Sequence, residues 1–252
     1  MRQARFVSVK EISVPLEIRD IMGMPIEIDL RDDGVDVEPA FEWLRHVDDT
    51  FSTYKPGSQI SRLDRGEITL RECSPEVDEV LTRCHALERE TRGYFNVRAS
   101  GRLDPSGLVK GWAVAGAAAR LEATGARRFL INAGGDIVAR GGPWRIGIRH
   151  PSEHDHVAAV LAGEDLAVAT SGEYERGPHV IDPHTRRPPE GLLSVTILGP
   201  DLATADAYAT AAFAMGVSGP AWTASLAGYE ALCITTDQQV LSTPGMDRYR
   251  VQ

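Results

Sequence analysis

The part of the chain after residue 126 constrains the fold most, because short apolar runs follow one another there between turn residues. Apolar runs of about four to eight residues, bounded by glycine or polar turns, are typical of strands. We predict strands in seven such segments: RRFLINA, DIVARG, WRIGIRH, HVAAVLAG, LAVAT, LLSVTILG and EALCITT. The first two flank a Gly134-Gly135 turn, which is typical of a hairpin. We therefore expect a largely antiparallel sheet.

Segments with helical periodicity precede and interrupt these strands. The run from Glu38 to Thr50 has helical spacing, and a second helix follows Ser74 as cap and Pro75 as first residue. Its apolar stripe comprises Val77, Val80, Leu81, Cys84 and Leu87. Another helix runs from Ala203 to Met215 and stops at Gly216. The sequence thus predicts a single α+β domain over residues 1–252, with helices packed on largely antiparallel sheet.

Charge and composition exclude several classes of protein. The net charge is −9, whereas a sequence-independent nucleic-acid binder needs a basic face, so we expect no nucleic-acid partner. The three cysteines show no metal-ligand spacing, and an odd number gives no complete disulfide framework. Neither a signal peptide nor a membrane-spanning run is evident. We therefore expect a cytoplasmic protein that is not inserted in a membrane.

The segment from Asp104 to Gly111, DPSGLVKG, places a carboxylate, a flexible glycine and a lysine where a helix is predicted to begin. Lys110 is one of only three lysines among 27 basic residues. A compact ammonium group on a mobile stem suits a phosphate in a tight site, and a helix N-terminus attracts anions. The alternative is an ordinary surface helix, capped by Asp104 with Pro105 at its first position.

Asp206 and Thr210 lie four residues apart in TADAYATAAFAMG, so a helix would place them on one face. A carboxylate and a hydroxyl form an incomplete oxygen ligand set, which suits Mg²⁺ completed by water and substrate phosphate. The alternative is that Asp206 interacts with the helix dipole and Thr210 bonds back to a carbonyl. Taken by itself, this pair leaves both interpretations open.

Nine segments, taken together and in order, resemble the ApbE family of FAD:protein FMN transferases. They are IMGMPIEIDL, FSTYKPGSQISRLDRG, GYFNV, DPSGLVKGWAV, INAGGDIVARG, WRIGIRHP, AVATSGEYER, HVIDPHT and ADAYATAAFAMG. The resemblance covers residues 22 to 216 and implies an ApbE-like fold. It also implies an enzyme that uses Mg²⁺ to cleave FAD, transfers FMN to a threonine or serine hydroxyl in a flavinylation motif of an acceptor protein, and releases AMP.

The resemblance also implies roles for individual residues. The metal ligands would be Asp206, Thr210 and the backbone carbonyl of Gly107, while Lys110 would lie beside the phosphates. The residues expected to contact FAD are Met22, Tyr54, Tyr94, Phe95, Asn96, Asp104, Lys110 and Thr170. We expect catalysis to consist mainly of positioning and of charge neutralisation by Mg²⁺ and Lys110.

A base must accept the proton of the attacking hydroxyl. His179 in HVIDP is the candidate, because an imidazole titrates near neutral pH, and Asp182 would orient it. Both residues instead have a structural role if IDP forms only a strand end and a turn.

Three other groups have simpler interpretations. Gly134-Gly135-Asp136 is more typical of a hairpin turn than of a phosphate site, and the resemblance adds only a backbone role. His150, His154 and His156 alternate with polar residues, which favours a solvated loop over a metal cluster. Thr170-Ser171-Gly172 is either a tight turn or, as the resemblance favours, a ligand contact.

The chain departs from the family pattern at four positions: Met24 in the M-G-T segment, Asn96 and Arg98 in the G-x-F-D-x-T segment, and Arg186 in the P-x-T-G segment. These departures affect expected FAD contacts but leave the expected metal ligands intact.

Three functions therefore compete: a flavin transferase, an FAD pyrophosphatase in which water replaces the acceptor hydroxyl, and a flavin-binding protein without turnover. The retained Asp206, Thr210 and Lys110 argue against the third.

Overall fold

The computed structural model describes residues 16–153, 156–172 and 180–251. The α-helices in this part of the chain are α1 (Glu38–Phe51), α2 (Gln59–Asp64), α3 (Pro75–Glu90), α4 (Ser106–Ala123), α5 (Leu202–Ala214) and α6 (Gly219–Thr223). The strands are β1 (Leu16–Ile21), β2 (Met24–Leu30), β3 (Phe129–Ala133), β4 (Asp136–Arg140), β5 (Trp144–Arg149), β6 (Val157–Gly163), β7 (Leu166–Gly172), β8 (Leu192–Leu198), β9 (Glu230–Thr235), β10 (Val240–Ser242) and β11 (Arg250–Val251). Over these described ranges, no helix has both the length and the apolar character needed to cross a membrane.

Two antiparallel sheets form the framework. The larger has the strand order β1-β2-β3-β4-β7-β8-β9-β10, and the smaller has the order β11-β6-β5. Every described strand pair is antiparallel, which confirms the predicted sheet type. The β3–β4 turn consists of Gly134 at φ 55° and Gly135 at φ 89°, so the predicted hairpin is confirmed.

The large sheet is buried on both faces, which makes its central strands apolar throughout. Along β7, Ala167 and Ala169 belong to the apolar core that includes the helices, whereas Leu166 and Val168 belong to a second core that includes the small sheet. Alternating residues of this one strand therefore pack into two different apolar cores, one on each face of the sheet. The result is an α+β arrangement of helices, large sheet and small sheet, as predicted.

The start of α4 differs by one residue from the prediction. Helix α4 begins at Ser106, and the carbonyl of Pro105 accepts the N–H of Val109 at 3.0 Å, so Pro105 is the N-cap. Asp104 lies outside the helix, where its Oδ1 accepts the N–H of Ser106 at 3.0 Å. The prediction of Asp104 as cap and Pro105 as first residue was wrong, because the aspartate side chain organises the turn before the helix.

Helices α4 and α5 approach so closely at Gly111 that no side chain fits between them. A Cβ atom built on Gly111 would lie 2.6 Å from the carbonyl oxygen of Leu202 and 3.0 Å from the Cα of Ala203. It would also lie 2.9 Å from the Cβ of Asp206. These neighbours are backbone atoms or a Cβ, so they cannot move aside by a rotamer change. Glycine is therefore required at this crossing.

We predict that Gly111→Ala destabilises the protein by about 1–3 kcal/mol, because overpacking outweighs the better helix propensity of alanine. Urea denaturation would measure the change. Gly57→Ala is the control, because a Cβ at Gly57 meets no atom within 4 Å. A Gly111→Ala variant as stable as the wild type would contradict the tight contact between α4 and α5.

Candidate active site

A cavity of about 310 Å³ opens beside the first turn of α4. Its walls come from the β1–β2 turn, the end of α1, the segment before α4, the end of β7 and one face of α5. Eleven residues predicted from the sequence line it: Met22, Tyr54, Tyr94, Phe95, Asn96, Asp104, Gly107, Lys110, Thr170, Asp206 and Thr210. The structure therefore brings together residues that are as far apart in sequence as Met22 and Thr210.

Of the two residues predicted for proton transfer, only Asp182 is among the described residues, and it does not line the cavity. His179 lies outside the described residues. Asp182 accepts the N–H of His184 and the hydroxyl of Thr185, each at 2.9 Å, and so organises the turn from residue 182 to 187. These bonds give Asp182 a structural role in that turn. Its orientation of His179 stays a prediction.

The oxygen atoms predicted to bind a metal meet where α4 packs on α5. Asp206 is 3% exposed, and its Oδ2 accepts the N–H of Gly111 at 2.9 Å. One turn away on each helix, a Cβ built on Gly107 would lie 3.1 Å from Oγ1 of Thr210. In a regular helix the N–H of Gly111 would bond the carbonyl of Gly107. The Asp206 carboxylate therefore competes with the Gly107 carbonyl for the N–H of Gly111. This carbonyl is the one that the family resemblance makes a metal ligand.

Asp136 is a charged group of the site that the sequence analysis missed. It is 0% exposed, and its Oδ1 lies 3.1 Å from Nζ of Lys110. The backbone role expected of Gly134-Gly135-Asp136 at the nucleotide site stays a prediction, and the ion pair with Lys110 is an additional role of the Asp136 side chain. The hairpin explains its position, because a two-residue turn pairs Asp136 with Ala133. Paired residues share a sheet face, and Ala133 is buried.

The two buried carboxyl groups are costly to ionise, and Asp206 is the more strongly affected. Burial raises the pKa of Asp206 well above its ordinary value, and the neighbouring charge of Asp136 raises it further. Burial also raises the pKa of Asp136, although the charge of Lys110 opposes this shift. Lys110 therefore stabilises the ionised form of Asp136. A cation bound at Asp206 would stabilise the ionised form of the second carboxyl group.

The donor set at this position fits a hard cation. Asp206 offers a carboxylate, Thr210 a hydroxyl and Gly107 a carbonyl, and oxygen donors of this kind suit Mg²⁺ rather than Zn²⁺. The described residues contain no group of three or more His, Cys, Asp or Glu side chains placed to hold a metal. A Mg²⁺ ion here would complete its shell with water or substrate oxygens.

The outer wall of the cavity is aromatic and apolar. The side chain of Tyr54 is 92% exposed at the cavity mouth, whereas Phe95 is 3% exposed and helps to form the floor. Tyr94 packs edge-on against His184 with ring centroids 4.5 Å apart. Met22 has φ 56° in the turn between β1 and β2. A left-handed non-glycine residue is uncommon, and such residues cluster at functional sites.

The polar residues of the outer wall already have protein partners. The amide of Asn96 donates to Glu88 at 2.7 Å, and the hydroxyl of Thr170 lies 2.9 Å from that of Thr196. Thr170, Ser171 and Gly172 belong to β7, so the alternative of a tight turn was wrong. Ser171, which the sequence analysis named only as a member of this group, has its hydroxyl 3.3 Å from that of Thr210.

The N-terminus of α5, the helix that carries Asp206, is held by Asp201. The Oδ1 atom of Asp201 accepts the N–H of Thr204 at 2.8 Å and lies 2.9 Å from Arg83 of α3. Burial alone would raise the pKa of Asp201. The hydrogen bonds from Thr204 and the charge of Arg83 outweigh burial and hold this pKa below its ordinary value.

Comparison with known proteins identifies the family. The profile of the ApbE family matches residues 22–101 and 97–233, which together make up most of the chain. The chain belongs to the ApbE family. An FAD:protein FMN transferase from Rhodobacter capsulatus is 38% identical over 158 residues, covering 58% of this chain and 30% of the relative. One from Vibrio cholerae is 36% identical over 129 residues, covering 45% of this chain and 39% of the relative. The chain thus spans well under half the length of these relatives.

Solved ApbE structures share the fold. The flavin transferase ApbE from Vibrio cholerae superimposes with a TM-score of 0.80 at 24% identity, covering 93% of this chain and 100% of that chain. An ApbE protein from Thermotoga maritima gives a TM-score of 0.84 at 20% identity, covering 95% of this chain and 100% of that chain. These similarities confirm the predicted ApbE-like α+β architecture.

We predict that Asp201→Ala lowers stability at pH 7 by about 1 kcal/mol, because it removes the cap of α5. A carboxyl group with a depressed folded-state pKa stabilises the protein above its unfolded-state pKa, and this part of its effect is lost as the pH falls through the folded-state value. The deficit should therefore be smaller near pH 3 than at pH 7 when urea denaturation is compared. Asp201→Asn is the control, because asparagine also caps helices. An equal deficit at both pH values would contradict the role of the Asp201 charge.

Proposed function

We propose that the chain is a Mg²⁺-dependent FAD:protein FMN transferase. The observation that carries the proposal is the contact between α4 and α5, which places Gly107, Lys110, Asp206 and Thr210 at one cavity. Two relatives that are 36–38% identical over the matched 129–158 residues are named FAD:protein FMN transferases. The substrates would be FAD and an acceptor protein that presents a threonine or serine hydroxyl in a flavinylation motif.

In the proposed reaction the acceptor hydroxyl oxygen attacks the FMN phosphorus of FAD. A bond forms between these two atoms, and the bond from the same phosphorus to the bridging oxygen breaks. AMP leaves with that electron pair, and a base takes the hydroxyl proton. We propose His179 as this base, positioned with the help of Asp182.

The residues of α4 and α5 supply the charge control that phosphoryl transfer needs. The Asp206 carboxylate, the Thr210 hydroxyl and the Gly107 carbonyl would hold Mg²⁺. When bound, Mg²⁺ would neutralise charge on the phosphate oxygens and orient them for in-line attack. Lys110 lines the same cavity, so its ammonium group would contact the diphosphate.

The outer part of the cavity would hold the rest of FAD. Tyr54 offers an exposed ring for stacking, and Met22, Tyr94 and Phe95 offer apolar contact. Asn96, Asp104 and Thr170 add hydrogen-bonding groups at its wall. The cytoplasmic location stays a prediction, and it would require a cytoplasmic acceptor.

Incubation of the purified protein with FAD, Mg²⁺ and an acceptor domain bearing a flavinylation motif tests the proposal. We expect flavin fluorescence on the acceptor in a denaturing gel and an equal amount of AMP by chromatography. Release of FMN and AMP without labelling, with several acceptors, would instead indicate a pyrophosphatase. FAD that binds but stays intact would indicate a flavin-binding protein without turnover.

We predict that Asp206→Ala lowers Mg²⁺-dependent turnover by about 100-fold or more, because it removes the charged ligand of the proposed metal site. AMP release measures this turnover whether the protein is a transferase or a pyrophosphatase. Asp33→Ala is the control, because Asp33 is an exposed carboxylate that does not line the cavity. Unchanged AMP release by the Asp206→Ala variant would overturn the metal assignment.

We predict that Tyr54→Ala weakens FAD binding by about tenfold, because stacking on an aromatic ring stabilises a flat ligand by about 1–3 kcal/mol. The melting temperature should stay the same, since Tyr54 is 92% exposed. Flavin fluorescence titration measures the affinity, and Tyr54→Phe should retain it. Equal affinity of the Tyr54→Ala and Tyr54→Phe variants would remove Tyr54 from the FAD site.

A further inference from the structure

Asp136 is a fully buried carboxylate for which the proposed reaction provides no role. It is not among the residues that line the cavity, whereas its partner Lys110 lines the cavity and has a side chain that is 18% exposed. Asp136 therefore lies behind Lys110 as seen from the cavity. Asp136 can therefore affect a bound ligand through Lys110, through its own charge or through the neighbouring Asp206 carboxyl group.

The backbone holds Asp136 firmly in this position. It is the first residue of β4, it follows the tight Gly134-Gly135 turn, and it pairs with Ala133 of β3. Side chains on paired central strands have little freedom. A lysine stem, in contrast, is flexible, so the position of its ammonium group depends on its partner.

Two carboxylates act on Lys110, and they do so differently. Asp136 forms the direct ion pair, with its Oδ1 3.1 Å from Nζ of Lys110, and Lys110 opposes the rise in the pKa of Asp136 that burial causes. Asp206 is influenced by Lys110 through charge at longer range, and its Oδ2 is occupied by the N–H of Gly111. A lysine that is held by Asp136 leaves Asp206 available to a cation.

We propose that Asp136 is a positioning residue that holds the Lys110 ammonium group and thereby keeps Asp206 free to bind the divalent cation. The inference rests on the proposed function. It predicts that the charge at residue 136 controls metal affinity, although Asp136 itself is no ligand.

The net charge of this cluster predicts the order of Mn²⁺ affinity among four proteins: the wild type, Asp136→Asn, Lys110→Met and the double variant. With both carboxylates ionised, as a bound cation requires, and Lys110 protonated, the wild-type cluster of Asp136, Asp206 and Lys110 has one net negative charge. Asp136→Asn makes it neutral, and Lys110→Met makes it doubly negative. The double variant restores one negative charge, and it also removes both partners of the ion pair, which is often tolerated in a buried position.

The experiment is a titration of these four proteins with Mn²⁺ alone, in which electron paramagnetic resonance measures the free ion. We expect Asp136→Asn to weaken Mn²⁺ binding by about tenfold or more, since a unit charge is lost beside the ligand. Lys110→Met should strengthen binding, and the double variant should return toward the wild-type affinity. Melting temperatures without metal verify that each variant is folded.

Mn²⁺ binding by Asp136→Asn that equals the wild type would overturn the inference alone. Equally weak binding by the single Asp136→Asn variant and the double variant would also overturn it, because the effect would then come from lost packing rather than charge. A wild type that binds no Mn²⁺ would overturn both the inference and the proposed metal site. The expected order of Mn²⁺ affinities, without flavin transfer to any acceptor, would overturn the proposed function only.

Discussion

The close contact between α4 and α5 is the interaction on which the rest of the site depends. Gly111 lets the two backbones approach, and its N–H bonds directly to Asp206. One turn away, a Cβ on Gly107 would meet the side chains of Thr210 and Phe95. A larger residue at Gly111 would separate the helices. The candidate metal ligands thus meet because of the same packing that closes the core.

This contact concentrates charge in a place from which water is largely excluded. Asp136 and Asp206 are both buried, and Lys110 offsets only part of their charge. Ionisation of both carboxyl groups is costly in such a place unless a cation binds, and perturbed carboxyl groups beside a cavity mark a candidate functional site. The aromatic outer wall, with Tyr54 exposed, leaves space for a flat organic group.

Much of the fold followed from local patterns in the sequence. The seven strands predicted after residue 126 and the apolar stripe of α3 are present, because burial on a sheet or helix face leaves a clear period. The hydrophobic pattern in the sequence is weaker for the edge strands β1, β10 and β11. Their residues are mostly exposed, so their positions depend on pairing with other strands rather than on their own pattern.

The candidate site was predictable where a residue stands in a recognisable segment, as Asp206, Thr210 and Lys110 do. Asp136 was missed because a Gly-Gly-Asp sequence is typical of a turn, and nothing local indicates that its carboxylate points into the core. A signal did exist in the hairpin register, since Phe129, Ile131 and Ala133 alternate inward and a two-residue turn pairs Ala133 with Asp136. The ion pair with Lys110 follows only from the tertiary packing of α4 on β4.

The central claim is that the α4–α5 contact forms a joint site for a divalent cation and a diphosphate. A crystal structure of the protein with FAD and Mn²⁺, with the metal located by anomalous scattering, tests it most directly. We expect Mn²⁺ bound to the Asp206 carboxylate, the Thr210 hydroxyl and the Gly107 carbonyl, with the diphosphate beside Lys110. A metal or diphosphate bound away from these residues would contradict it.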